Sequence, residues 1–463
     1  MSANRLEQWS GASELTWLEQ VLAERFGQAF ELTRLDDRIR LTCPASPGHI
    51  ELACFDSWPG AASGGLPFTC WDASHSGWNV ALQAKLPAPG VAELPVELIR
   101  QSPEGFVIDY DILGLTYWML SRCEEIEHGQ GDRYGRFPTE ASHAYQHGYL
   151  ERPVVDEWLF ILRQVVQRQW PTLRLRPLQY SMRVSHDVDE PSRYAFKSLR
   201  GLARVVAIDV LRHRDWLAPI RALYIKLKGR SELAAVDPAN TFDWLMDLSE
   251  RHGLVSAFYF ICGRTHPTMD ADYEPETPAI RRLIRRIHGR GHEIGLHPSF
   301  NTYLQPGLIV GEADRLRRVC AEEQVRQAVW GGRMHYLRWS HPLTLRAWDQ
   351  AGMTYDSTLG YADLSGFRCG TCHEYPAFDP VARQALELRI RPLVAMEVTV
   401  TSPTYMGLGC GPGAVARFAG LIDACRAVGG CFTLLWHNSN LSTSAERALY
   451  EKVLELGAVK TNA

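Results

Sequence analysis

The pattern of apolar and polar positions changes character near residue 175. Before that point, a stretch over 14–26 sets Leu15, Leu18, Val21 and Leu22 on one helical face. Short strand-like runs follow, Ile39-Arg40-Leu41-Thr42 and Ile50-Glu51-Leu52, and then helical segments over 112–125 and 154–169. Trp170-Pro171 closes the second segment and marks a boundary. Beyond it, apolar runs rich in β-branched and aromatic residues predict strands over 181–188, 254–262, 292–297, 327–331, 353–357, 393–400 and 430–437. Amphipathic helices separate most of them. Phe242, Leu245, Met246 and Leu248 line one helix, which Gly253 stops. Thr277-Pro278 opens another, with Ile280, Leu283, Ile284 and Ile287 inward, and 413–428 is a third. Strands alternating with helices imply an α/β fold with a parallel sheet. Seven such units suit a barrel better than a small open sheet. The expected organisation is a smaller α/β N-terminal domain over 1–175 and a barrel over 176–463.

Composition narrows the function classes. Hydrophobic residues are 46% and charged residues 22% of the 463, as in ordinary globular proteins. The formal net charge of −4 gives the whole chain no electrostatic reason to bind nucleic acid. No apolar run is long enough to span a bilayer. The first residues, MSANRLEQWSGASELTWLEQ, lack the basic-then-apolar order of a secretory leader. The expected compartment is therefore the cytoplasm, with the 11 cysteines reduced.

In parallel βα folds, ligands bind at the C-terminal ends of the strands. The first predicted barrel strand ends Ser185-His186-Asp187-Val188-Asp189. Aspartates two apart lie on one side of an extended strand, so one can hold a cation while the other accepts a proton. On its own, such a pair is also what a solvated acidic turn before Pro191 looks like. The third strand ends at His297, with Asn301 four residues on. Histidine, carboxylate and one further donor make a three-ligand site with room for water. His292 reads instead as structural. His437 ends the last apolar strand, where an acid–base group is expected.

In order, these strand ends resemble the polysaccharide deacetylases, carbohydrate esterase family 4 with the NodB-homology barrel, over about 180–440. Ser-His-Asp-Val-Asp is similar to the family's first motif and Gly-His-Glu-Ile-Gly-Leu-His (291–297) to its second. Gly-Arg-Met-His-Tyr (332–336), Tyr355-Asp356-Ser357 and Leu435-Trp436-His437 are similar to the third, fourth and fifth. The resemblance is to a branch found with surface-polysaccharide genes, in which an extra domain precedes the barrel. It implies a distorted TIM-like (β/α)7 barrel and a divalent metal, zinc being the expected one. It also implies Asp187 as general base, Asp189 and His297 as metal ligands, Arg333 orienting Asp187, His437 as general acid and Asp356 tuning His437. The sequence departs from the family in two places that matter. Val188 separates aspartates that are usually adjacent, and Asn301 stands where a histidine is usual. An amide oxygen is a poorer zinc ligand than imidazole, and His335, in place of a proline, is a candidate substitute.

The expected reaction is hydrolysis of an N-acetyl or N-formyl amide on a sugar of a surface glycan or its lipid-linked precursor. His335, Tyr336, Trp339, Arg368 and Trp436 are the candidate substrate contacts, the aromatic rings offering faces to a pyranose. A cyclic-amide hydrolase of the same barrel superfamily and a non-catalytic glycan-binding module are the alternatives. Residues 192–230 carry ten Lys and Arg against two Asp, net +8, interleaved with apolar residues. This reads as a basic helical insertion. One face is either solvated or in peripheral contact with anionic lipid or a diphosphate-linked glycan at the inner membrane. Cys369-Gly370-Thr371-Cys372-His373 has the spacing of a c-type haem attachment, which the expected compartment argues against.

Overall fold

A computed structural model describes residues 9–56, 58, 65–126, 128–129, 131–212 and 214–459. The chain is α/β: a distorted TIM-like (β/α)7 barrel preceded by a smaller α/β unit.

In the first unit, α1 (Ala12–Phe26) buries Leu15, Leu18, Val21 and Leu22, as their spacing predicts, together with Trp17. Gly27, at φ 71°, ends the helix in the left-handed region. Strands β1 (Glu31–Arg34), β2 (Arg38–Cys43) and β3 (Ser46–Ala53) form a meander. An antiparallel ladder, β4 (Phe68–Asp72) with β5 (Lys85–Pro89), stands apart. β6 (Ile99–Ser102) and β7 (Gly105–Ile108) complete a sheet of order β1-β2-β3-β7-β6. α2 (Ile112–Leu120) and α4 (Val154–Gln169) pack over it, and in the short α3 (His143–Gln146) His143 meets Phe68 of β4 and Trp118 of α2 edge-on. The helix expected over 112–125 stops at Leu120, because Arg122 takes a left-handed conformation (φ 54°) and a 3₁₀ turn follows.

The barrel begins with β8 (Ser181–Val188), whose C-terminal end leads into the helices α5 (Leu199–Leu211) and α6 (Ala218–Lys228). Then come α7 (Phe242–Arg251), β9 (Ser256–Ile261), α8 (Pro278–Gly289), β10 (Glu293–His297), α9 (Pro306–Glu322), β11 (Gly331–Gly332), α10 (Leu343–Gln350) and β12 (Tyr355–Asp356). The hairpin β13 (Tyr375–Asp379) and β14 (Gln384–Ile390) follows, then β15 (Ala395–Met396), α11 (Glu397–Thr401), α12 (Pro412–Ala427), β16 (Cys431–Leu435) and α13 (Ser444–Gly457). The strand order is β13-β14-β12-β11-β10-β9-β8-β16-β15, parallel throughout except for the edge strand β13. β9 is buried at every position, as a strand covered on both faces must be.

One continuous segment runs from the β12 side of the sheet to the β16 side. Leaving β14, Arg391 N–H donates to Asp356 O and Leu393 N–H to Leu359 O, on the β12 side. Val394 N–H then donates to Thr433 O, and β15 pairs with β16. Two expected strands are shorter than their sequence suggests. Over 327–331, the Gln327 side chain accepts from Ile294 N–H and donates to Ile294 O, in the place of backbone ladder bonds. Over 393–400, the β-branched run Val398-Thr399-Val400 turns helical as soon as Met396 reaches the end of its strand.

The β13–β14 hairpin, which the apolar pattern does not announce, joins the two parts of the chain. Trp17 Nε1 donates to Pro376 O at 3.0 Å and Tyr375 Oη to Leu120 O at 2.8 Å. A single apolar core runs from α1 through to α13.

Candidate metal centre

Asp187 lies near the end of β8, and Asp189 lies just beyond it. The Asp187 carboxylate is buried and accepts at Oδ1 from Arg333 Nη1 at 2.8 Å. Arg333 is 0% exposed, and its other donors reach Ser357 O, Ser185 Oγ and Ser357 Oγ. A guanidinium held through all three of its nitrogens cannot swing, so it fixes the carboxylate that it grips. Asp187 Oδ2 is left facing His297 Nε2 at 3.7 Å.

His297, the last residue of β10, lies 2.5 Å through Nδ1 from the backbone oxygen of Arg333. Only Nδ1–H can make that bond, which turns Nε2 toward Asp189. Nε2 stands 3.3 Å from Asp189 Oδ1. Both atoms are buried and have no hydrogen-bond partner. Buried polar atoms are nearly always satisfied. A facing imidazole nitrogen and carboxylate oxygen, both unsatisfied, are the donors a cation takes up.

The third member is His335, in the turn after β11. Tyr336 (φ 61°) and Leu337 (φ 55°) follow it in the left-handed region, a strained turn of the kind that clusters at functional sites. His335 Nε2 faces Asp189 Oδ2 at 3.7 Å, and its Nδ1 lies 3.4 Å from Asp270 Oδ1. Asp270 is itself held by the backbone N–H groups of Thr265, His266 and Phe300. A carboxylate behind a ligating histidine orients the ring and raises its basicity. One ligand atom each from Asp189, His297 and His335 lies within 4.8 Å of the others. Burial would raise the Asp189 carboxyl, yet the two histidines hold it well below the usual range. Burial would likewise lower His335, but Asp189 and Asp270 push it up to about 9. The cluster calls for positive charge, and one carboxylate with two imidazoles is a zinc-type donor set.

His437 follows the end of β16. Its Nδ1 is 2.7 Å from Glu397 Oε1, and its Nε2 is 3.7 Å from Asp189 Oδ2. Burial opposes the protonated ring, but the Glu397 carboxylate outweighs it and pushes the pKa up to about 10. Glu397 also accepts from His437 N–H and Asn440 Nδ2, so it is fixed on three sides. A cleft of about 130 Å³ opens over these groups, bounded by Arg136, Tyr336, Tyr405 and an apolar wall that includes Leu337, Met396 and Leu435.

The structure thus brings Asp187, Asp189, His297, Arg333, His335, Tyr336 and His437 together. Five expected placements differ. Asn301 is not at the metal cluster: its Oδ1 accepts from Arg338 and its Nδ2 donates to Thr265 O, so both ends of the amide are used. His335 stands at the cluster instead. Asp356 does not meet His437. It accepts from Thr358 N–H and Oγ1 on the Arg333 side of the barrel, and burial pushes its carboxyl up to about 6. Glu397 is at His437 in its place. Arg368 is buried in a two-pronged pair with Glu125 and donates to Gly360 O, so each of its three nitrogens is engaged within the protein. Trp436 is 1% exposed, packed against Phe418 and Tyr450, and offers no face to a sugar. Trp339, also buried, stacks on His341. Cys369 and Cys372 are buried, and Cys372 leans on Asp156.

Sequence reasoning missed Glu397, Asp270 and Arg136. A charged residue in the apolar run Leu393-Val394-Ala395-Met396-Glu397-Val398 was a usable signal for the first. Nothing local marks the other two. Arg136 comes from the N-terminal unit and donates to Tyr336 O at 3.1 Å.

Comparison with known proteins adds little. A family model described as "Family of unknown function (DUF7033)" matches residues 72–171. No curated protein matches the chain. Among solved structures, similarity is found to a "putative polysaccharide deacetylase from Mycobacterium smegmatis" at 16% identity, covering 60% of this chain and 84% of that one, TM-score 0.39. A "probable Polysaccharide deacetylase from Pseudomonas aeruginosa PAO1" gives 16% identity, 60% and 84% coverage and TM-score 0.36. "Puue Allantoinase" gives 12%, 60%, 83% and 0.36. The functional reading rests on the geometry of the cluster and not on these distant likenesses.

Proposed function

We propose that the chain is a metal-dependent amide hydrolase that removes an N-acyl group, acetyl or formyl, from a sugar of a surface glycan or its lipid-linked precursor. The observation that carries this reading is the facing pair Asp189 Oδ1 and His297 Nε2, buried, unpartnered and 3.3 Å apart, between Asp187 and His437.

Asp189, His297 and His335 are the residues to hold the cation, with zinc the expected one. A divalent cation there supplies Lewis-acid polarisation of the amide carbonyl and acidifies water. The protein's own groups do the proton work. Asp187, gripped at Oδ1 by Arg333, offers Oδ2 to take a proton from the attacking water as the new C–O bond forms. His437, protonated at neutral pH because of Glu397, gives its Nε2 proton to the departing nitrogen as the C–N bond breaks. The products are a carboxylic acid and a free amine. Amide nitrogen is a very poor leaving group until protonated, so an acid on the side opposite the base is what this reaction needs. A glycan-binding module would require neither group.

The test is metal analysis of the purified full chain, followed by acetate and formate release across a panel of N-acyl sugars with and without chelator. Chelator-sensitive release from at least one sugar is expected. A metal-free protein that takes up no added zinc, or one with no release from any member of the panel, overturns the reading.

A further inference from the structure

The basic segment forms the hairpin α5–α6, which leaves the barrel at the rim carrying the metal centre, shortly after Asp189. Its inner side is anchored. Tyr194, Ala195, Ala222 and Ile225 make a small separate apolar cluster. Asp209 holds Arg193 and accepts from Tyr194 Oη at 2.7 Å.

Its outer side differs from the rest of the surface. Among the described residues, nine of the 21 exposed large hydrophobic residues fall between Leu199 and Leu227. They are arranged, not scattered. Ile220, Leu223 and Leu227, 73%, 61% and 78% exposed, recur along one face of α6, which Trp216 extends at 73%. α6 therefore carries two apolar stripes, one packed against Tyr194, Ala195 and α5 and one open.

Charge accompanies the open stripe. Arg200, Arg204, Arg212, Arg214, Lys228 and Arg230 are exposed, and none forms an ion pair among the described residues. The only acids of the segment, Asp209 and Asp215, are already taken by Arg193 and Arg221. A chain of net charge −4 thus concentrates +8 in 39 residues around an apolar face.

We propose that this hairpin docks on an anionic lipid bilayer, burying Trp216 and the Ile220–Leu223–Leu227 stripe among the acyl chains while the flanking cations meet the headgroups. A single stripe of leucines would suit many partners, but the unpaired cations around it select the occupant. A second copy of this chain would bring two +8 patches face to face, whereas an acidic leaflet neutralises both the apolar and the charged features. Nucleic acid would neutralise the cations and leave the leucines in water.

The experiment is flotation of the full chain with vesicles of equal parts phosphatidylglycerol and phosphatidylcholine, and with phosphatidylcholine alone. The chain is expected to float with the acidic vesicles, to be released as salt rises to about 0.5 M, and to stay down with the neutral ones. Replacing Ile220, Leu223 and Leu227 together with Glu is expected to abolish flotation. Arg204→Gln, Arg212→Gln and Arg214→Gln together are expected to weaken partitioning on the order of a hundredfold. All these side chains are exposed, so the melting curve of each variant should match wild type and separate lost docking from lost folding. Failure of the wild-type chain to float, or equal flotation of the variants, overturns the proposal. So does conversion of a dimer to a monomer by the Glu variant without any vesicle binding, which would assign the stripe to self-association. Vesicle binding needs no enzymatic readout, so its outcome is independent of the hydrolase reading.

Discussion

Glu397 holds His437 twice, accepting at Oε1 from the ring Nδ1–H at 2.7 Å and from the residue's own backbone N–H at 2.9 Å. Ring orientation and ring charge therefore depend on one carboxylate. In Glu397→Gln, an amide oxygen can still accept both bonds, so the geometry survives while the negative charge is lost. Glu397 is the leading influence raising His437 against burial, toward about 10, so the variant ring deprotonates at lower pH. We expect kcat to fall about 10²-fold and the alkaline limb of its pH profile to move toward neutrality. A profile that keeps its wild-type limb while activity falls would mean that Glu397 acts only as scaffolding.

His335 and Asn301 can be told apart by metal content. His335→Ala removes one of the three clustered donors, so zinc retention through dialysis should fall along with activity. Asn301→Ala removes bonds to Arg338 and Thr265 only, at a cost of about 1–2 kcal/mol in stability. Its zinc content should equal that of wild type, as measured by elemental analysis of both proteins. Lost metal in Asn301→Ala with full retention in His335→Ala would reverse the assignment.

These two predictions also mark what the sequence could reveal. The alternation of apolar runs and amphipathic helices predicts the barrel, because burial on both strand faces leaves its mark on every residue, as in β9. Asp187, Asp189, His297 and His437 were legible because a strand end followed by a polar residue is a local signature. Asn301 misled because a one-turn spacing says nothing of where the backbone goes. The chain runs from His297 into a loop on which Thr265 and Arg338 claim the amide. His335 was legible as a candidate because it replaces a proline in Gly-Arg-Met-His-Tyr, whereas Glu397 reaches the cluster from just after a strand far away in sequence, and only tertiary structure brings it there. The β13–β14 hairpin escaped notice because its burial comes from α1, a contact more than 350 residues away in sequence.

Arg368 provides a test of structure against substrate contact. Its guanidinium grips both oxygens of buried Glu125, whose carboxyl the arginines Arg368 and Arg122 hold down to about 2 against the opposing effect of burial. Removing Arg368 breaks a buried pair and leaves Glu125 with Arg122 as its remaining guanidinium, a cost of about 3 kcal/mol, the lower end for a broken buried pair. Arg368→Ala should therefore lower the denaturant midpoint strongly, while the folded fraction keeps the wild-type KM. A variant of unchanged stability but raised KM would return Arg368 to the substrate.

Glu312 predicts a pH dependence of stability. Lying in α9, it accepts from Ser299 N–H at 2.9 Å and from Ser299 Oγ at 2.5 Å, and so ties that helix to the loop that follows His297. Burial pushes its carboxyl from 4.5 up to about 7, and the Ser299 bonds only partly offset this. The folded chain then keeps a proton that the unfolded chain releases near 4.5. Its contribution is complete below that pH and is lost as pH rises through 7. The loss amounts to at most about 3 kcal/mol. Glu312→Gln keeps an acceptor for Ser299 N–H and turns the other atom into a donor to Oγ, so the tie remains without a titrating group. Urea denaturation at intervals between pH 5 and pH 8 should show the wild-type chain losing stability relative to the variant up to about pH 7, then running parallel to it. Parallel curves throughout would mean that Glu312 stays ionised in the fold and that its bonds to Ser299 outweigh its burial.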